Sequence, residues 1–106
     1  MKPNMGQALK QMQKAQAEMA RVQEELKNDL VSASAGGGAV KVSITGDLTI
    51  TDVTIDPRAV DPDDVAMLQD MVVAAVNEAL RQAQELQTSK MSRVMGGLGL
   101  PGGLGF

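Results

Sequence analysis

At 106 residues the chain is sized for one small domain, and with a single Phe and no Trp or Tyr its core must come from Ala, Val, Ile, Leu and Met. The absence of Cys removes disulfides and thiol chemistry, and the absence of His removes the commonest metal ligand and general base. The net charge of −3 hides an asymmetry: residues 1–27 and 81–106 each carry net +2 and residues 28–80 carry −7, so a polyanion is expected to meet the terminal segments and be repelled by the middle.

Asn4 is placed to cap a first helix, with Gln7 completing a reciprocal capping box. Met5, Met12, Met19 and Leu26 recur every seven residues, and Ala8, Ala15 and Val22 each follow three positions later, which is an a/d seam. The spacing predicts a helix from about Met5 to Lys27, roughly 35 Å long. Lys10, Lys14 and Arg21 fall off that seam and form a cationic row about 16 Å long, expected on the outside of the helix.

The stretch "ASAGGGAVKVSI" places three glycines ahead of an alternation. A phosphate-binding glycine loop runs into a helix N-terminus; here Val40, Val42 and Ile44 alternate with Lys41, Ser43 and Thr45, so the glycines are read as the reversal of a hairpin. A second turn at Gly46-Asp47 leads into a third strand. Leu48 and Ile50 share one parity and Val53 and Ile55 the other, so a bulge near Thr51 or Asp52 is required to keep all four on one face.

"VDPDD" starts a second helix, with Asp61 as the expected N-cap, Pro62 in the first turn, Asp63 and Asp64 at the positive end of the dipole, and Val60 and Val65 as a hydrophobic staple. Val65, Leu68, Val72, Ala75, Val76, Ala79, Leu80, Ala83 and Leu86 make one apolar stripe, which continues towards Met95 and stops at Gly96-Gly97. A helix of up to about 50 Å is twice the depth of such a sheet, so both helices overhang it and pair with each other or with a second subunit. Met12, Met19, Val72, Val76 and Leu80 are the expected core or dimer positions. Arg81, Lys90 and Arg93 sit on the overhanging half. Residues 1–95 read as one domain and 96–106 as a flexible Gly-rich tail.

No catalytic residue, cofactor, metal or small-molecule substrate is expected. Asp56, Asp61, Asp63 and Asp64 lack the central Gly and terminal Glu of a calcium loop, and no acid pair stands near a plausible nucleophile. No apolar run approaches the roughly 18 residues of a membrane span, so a cytoplasmic protein is expected. The basic residues are the productive set, although Lys14–Glu18, Glu18–Arg21 and Arg21–Glu25 also have the spacing of a solvated, ion-paired helix face. With no aromatic to stack on a base, single-strand and sequence-reading modes are poorly supported.

The order helix, glycine hairpin, "VSITGDLTITDVTID", Pro57, "AAVNEALRQAQE" and a glycine-leucine-proline tail resembles the YbaB/EbfC family of bacterial nucleoid-associated DNA-binding proteins. The resemblance covers nearly the whole chain; its most specific pieces are Gly46-Asp47, Ile55-Asp56-Pro57 and Ala75-Val76-Asn77-Glu78-Ala79. It implies an α+β protein, α-β-β-β-α, forming a homodimer whose long helices project as arms around double-stranded DNA, with low or modest sequence preference and a role in nucleoid organisation and gene expression. Charge placement assigns Lys10, Lys14, Arg21, Arg81, Lys90 and Arg93 as candidate phosphate contacts. Asn77, within the matched motif, is expected to pair its amide with backbone at a strand end or the dimer interface. The alternative is a coiled-coil interaction or prefoldin-like chaperone module without DNA binding; a carboxylate-metal enzyme is a further rival.

Overall fold

The computed structural model describes residues 5–97. Helix α1 spans Met5–Asn28, strands β1, β2 and β3 span Leu30–Ala35, Val40–Thr45 and Ile50–Ile55, a short 3-10 turn occupies Pro57–Ala59, and helix α2 spans Val65–Gly97. The α-β-β-β-α order is the expected one. Asn4, and residues 98–106 of the expected 96–106 tail, lie outside the described residues, while Gly96 and Gly97, expected to stop the helix, belong to α2.

The strands form one antiparallel sheet in the order β1-β2-β3. At the first reversal Gly36, Gly37 and Gly38 have φ of 64°, 68° and 94°, a region that costs a side-chain-bearing residue free energy. At the second reversal the positive φ, 67°, falls on Leu48 rather than on a glycine. Gly46 is needed there for space: a Cβ would lie 3.0 Å from the carbonyl oxygen of Leu26 and 3.2 Å from its Cα. The sheet thus meets the last turn of α1 backbone to backbone, and the Gly46 amide donates to the Asp29 carbonyl at 3.0 Å.

The predicted bulge is present. Ser43 pairs with Asp52 and Ile44 with Ile50, which leaves Thr51 without an opposite residue. The slip sets Ile50, Val53 and Ile55 opposite Ile44, Val42 and Val40, on the same side of the sheet. Leu48 departs from expectation, since it lies in the turn before β3 rather than in the strand.

α2 packs on that side, over β1 and β2. Ala75, Ala79 and Ala83 are fully buried against Ala33, Val40, Val42 and Ile44. Alanines four residues apart share one helix face, and their size lets the helix axis approach the sheet closely. The helix begins later than the sequence suggested. Asp61 closes a turn, its Oδ1 accepting from the Asp63 amide at 2.9 Å, and Asp64 is the cap, its Oδ1 accepting from the Met67 amide at 3.1 Å. Pro62 presets the φ of a turn, so the chain spends one reversal before the helix starts. Val60 and Val65 are both exposed and make no staple.

A second, smaller cluster joins the helices: Val22 and Leu26 of α1 with Val94 and Leu86 of α2. Only this end of the heptad seam is fully buried in the single chain; Met5, Met12 and Met19 of the seam, and Leu9 beside it, are exposed. The molecule measures 75 × 25 × 16 Å, with a radius of gyration of 20.1 Å. A compact chain of this length has about 13 Å, so the helices do project as arms.

Gly46→Ala is expected to destabilise the fold by about 1–3 kcal/mol, because the added methyl meets the Leu26 backbone as well as the Cδ2 of its buried side chain. Urea denaturation measures it, and an unchanged midpoint would contradict the close approach.

Candidate nucleic-acid interface

The six candidate cations divide by position. Lys14 and Arg21 of α1 and Lys90 and Arg93 of α2 line one groove between the helices, about 470 Å³ in volume, together with Glu18, Val22, Glu25 and Val94. At Lys14 and Arg21 the row on α1 therefore flanks α2's C-terminal turns, while both residues stay exposed as their heptad position suggested. Lys10 is exposed farther along α1. Arg81 lies apart from the groove, beside Gln84, Glu85, Thr88 and Ser89.

They divide again by charge pairing. Arg21 spans Glu18, at 2.7 Å, and Glu25. Arg81 spans Glu78 and, at 2.6 Å, Glu85. In each case the forked guanidinium reaches both carboxylates, one turn behind and one turn ahead. Glu18 is held by Arg21, and the expected Lys14–Glu18 pair is not formed. Lys90 is the least exposed of the six, its side chain 16% accessible, with Nζ 2.9 Å from Glu25 Oε2 and 2.6 Å from Asp29 Oδ2. The bond to Asp29, and then that to Glu25, raise the Lys90 pKa; the same ammonium is the main cause that lowers the Glu25 carboxyl. Lys10, Lys14 and Arg93 make no ion pair with the described residues, and are the cations free to meet an external anion.

Gln87 and Asp29 were not anticipated. Gln87 Nε2 donates to the Gly46 carbonyl at 2.8 Å, pinning α2 to the β2–β3 turn. Contacts between residues 41 and 65 positions apart leave no local signal in a sequence.

The remaining assigned residues lie on α2 and α1. Val72, Val76 and Leu80 are half-buried and pack against the main core. Asn77 is exposed, and its amide has no hydrogen-bond partner among the described residues, so the expected backbone pairing is not made within the chain. Met12 and Met19 are 61% and 43% exposed. Ile50 and Val53 of β3 are 43% and 44% exposed although they stand opposite fully buried residues, because α2 covers β1 and β2.

Residues 1–98 match the YbaB/EbfC DNA-binding family. The chain belongs to this family. It is 58% identical over 100 residues to a nucleoid-associated protein of Acetivibrio thermocellus, covering 93% of this chain and 88% of that one. It is 56% identical over 99 residues to a nucleoid-associated protein of Moorella thermoacetica, covering 93% and 95%. The fold is similar to that of the uncharacterized protein HP0035 from Helicobacter pylori, with a TM-score of 0.79 at 20% identity over 89% of this chain and 99% of that chain. The family is one of DNA-binding proteins.

Hydrogen bonds from Arg81 and then Gln82 hold the Glu78 carboxyl at about 2, below its ordinary 4.5. A depressed carboxyl stabilises the fold above its unfolded value, and that contribution is lost as pH falls towards the folded value. Stability is therefore expected to fall between about pH 4.5 and about pH 2, and Glu78→Gln to flatten that decline. Urea midpoints across the window measure it; an equally steep decline in the variant would contradict the assignment.

Proposed function

We propose that this family member binds duplex DNA as a homodimer in the cytoplasm, at the nucleoid, with low or modest sequence preference, and thereby organises the nucleoid and influences gene expression. The observation that carries the reading is the meeting of Lys14 and Arg93, free of ion pairs among the described residues and contributed by different helices, on one groove. Such cations neutralise phosphates and release counterions, a mode that positions a protein on DNA without reading bases. Lys10 extends the same charge along α1. The acidic middle of the chain keeps the duplex to the arms.

Dimerisation is supported by the uncovered side of β3. Ile50 and Val53 are exposed there, Val65 and Val73 of α2 are exposed as well, and a second copy's α2 would cover such apolar residues. A self-complementary patch is what a two-fold axis uses, and a core this small and poor in aromatics gains from association. Asn77 would find its partner there or remain solvated. The exposed Met5, Leu9, Met12 and Met19 favour a second reading, a coiled-coil interaction module without DNA binding.

Fluorescence anisotropy with two unrelated duplexes, at about 50 and about 200 mM salt, is expected to give similar affinities that fall steeply with salt. Lys14→Gln with Arg93→Gln should reduce the slope of log affinity against log salt by about 0.9 for each phosphate that is no longer neutralised. Absence of binding at low salt would favour the interaction module. Val53→Asp is expected to yield a folded monomer, read by sedimentation and circular dichroism, because the charge stays in water when the partner is absent; a persisting dimer would contradict this interface.

A further inference from the structure

Lys90 is a candidate phosphate ligand by charge, yet its geometry is that of a structural clasp. Its ammonium lies between Glu25, in the last turn of α1, and Asp29, just past the helix end. A cation there also complements the negative end of the α1 dipole. The joint it closes is slight: the only other buried material between the helices among the described residues is Val22, Leu26 and Val94. Fifteen residues of α1 on the far side, from Met5 to Met19, include none that is fully buried. A small angular change at the joint therefore becomes a large displacement at Lys14, and shifts it relative to Arg93.

We infer that Lys90 is a positioning residue, which sets the angle of α1 against α2 and hence the spacing of the free cations across the groove, without touching phosphate itself. A phosphate drawing Lys90 away would leave Asp29 without its counter-charge and Glu25 with Arg21 alone, both facing a polyanion. The consequence for binding rests on the DNA-binding reading; the clasp does not.

Because the chain has no Cys, spin labels can be placed at Gln13→Cys and Ser92→Cys, both exposed, and their separation measured by pulsed electron spin resonance, diluting labelled chains with unlabelled protein. The intact chain is expected to give a narrow distance distribution, and Lys90→Met a broad one. Glu25→Gln with Asp29→Asn removes the clasp from the other side and should broaden it likewise. An unchanged distribution in both variants overturns the clasp. Anisotropy then separates positioning from contact. Lys90→Met is expected to lower duplex affinity by the same factor at both salt concentrations, whereas a salt slope smaller by about 0.9 would show that Lys90 itself neutralises a phosphate and overturn its exclusion from the interface. The distance measurement is made without DNA, so a failure of the clasp is distinguishable from a failure of the DNA-binding reading.

Discussion

Six-residue strands reach about 20 Å, whereas α2, at 33 residues, is about 50 Å long and α1 about 36 Å. That mismatch governs the rest. The sheet can support only the part of α2 that carries Ala75, Ala79 and Ala83, so the C-terminal turns of α2 and nearly all of α1 run past it. They are left with each other, and among the described residues the contact they make is confined to a few aliphatic side chains and one ion cluster. The fold is consequently a small packed body with a weakly packed extension, and the charge follows the same division.

This division gives the basic residues their meaning. On a compact protein of net charge −3, ten cations would be scattered among thirteen acids and amount to little. Here the acids concentrate in the sheet, the turns and the start of α2, while the extension carries most of the cations. Among the described residues, Arg21 and Arg81 are held by intrahelical carboxylates and Lys90 by Glu25 and Asp29, and Lys10, Lys14 and Arg93 are left without an ion pair. Counting basic residues thus overstates the grip, and pairing decides which of them matter.

What was legible in the sequence was what local periodicity encodes. The alternation of Val40, Val42 and Ile44, the parity change that demanded a bulge near Thr51 or Asp52 and the Ala75, Ala79 and Ala83 part of the apolar stripe of α2 each appear within a dozen residues, and each is found in the fold. What was not legible depends on which distant element arrives. The Asp61 cap gave way to Asp64 because Pro62 commits to a turn first. Gly46 is explained by α1's last turn and not by its own dihedral. The row formed by Lys14 and Arg21 borders a groove because α2 lies on that flank, and Lys90 is engaged by residues more than sixty positions away. The candidate site was visible as a list of charges, but its arrangement was set by tertiary contacts.

The first turns of α1 have a quieter implication. Met, Gln, Ala, Lys and Glu dominate them, and all favour helix without help from neighbours. Their rigidity is written in composition, where the body's is written in packing. On the proposed reading, substitutions along this surface are expected to change how firmly the protein holds DNA, with little bearing on whether it folds. Fold and grip are open to separate adjustment, one residue at a time.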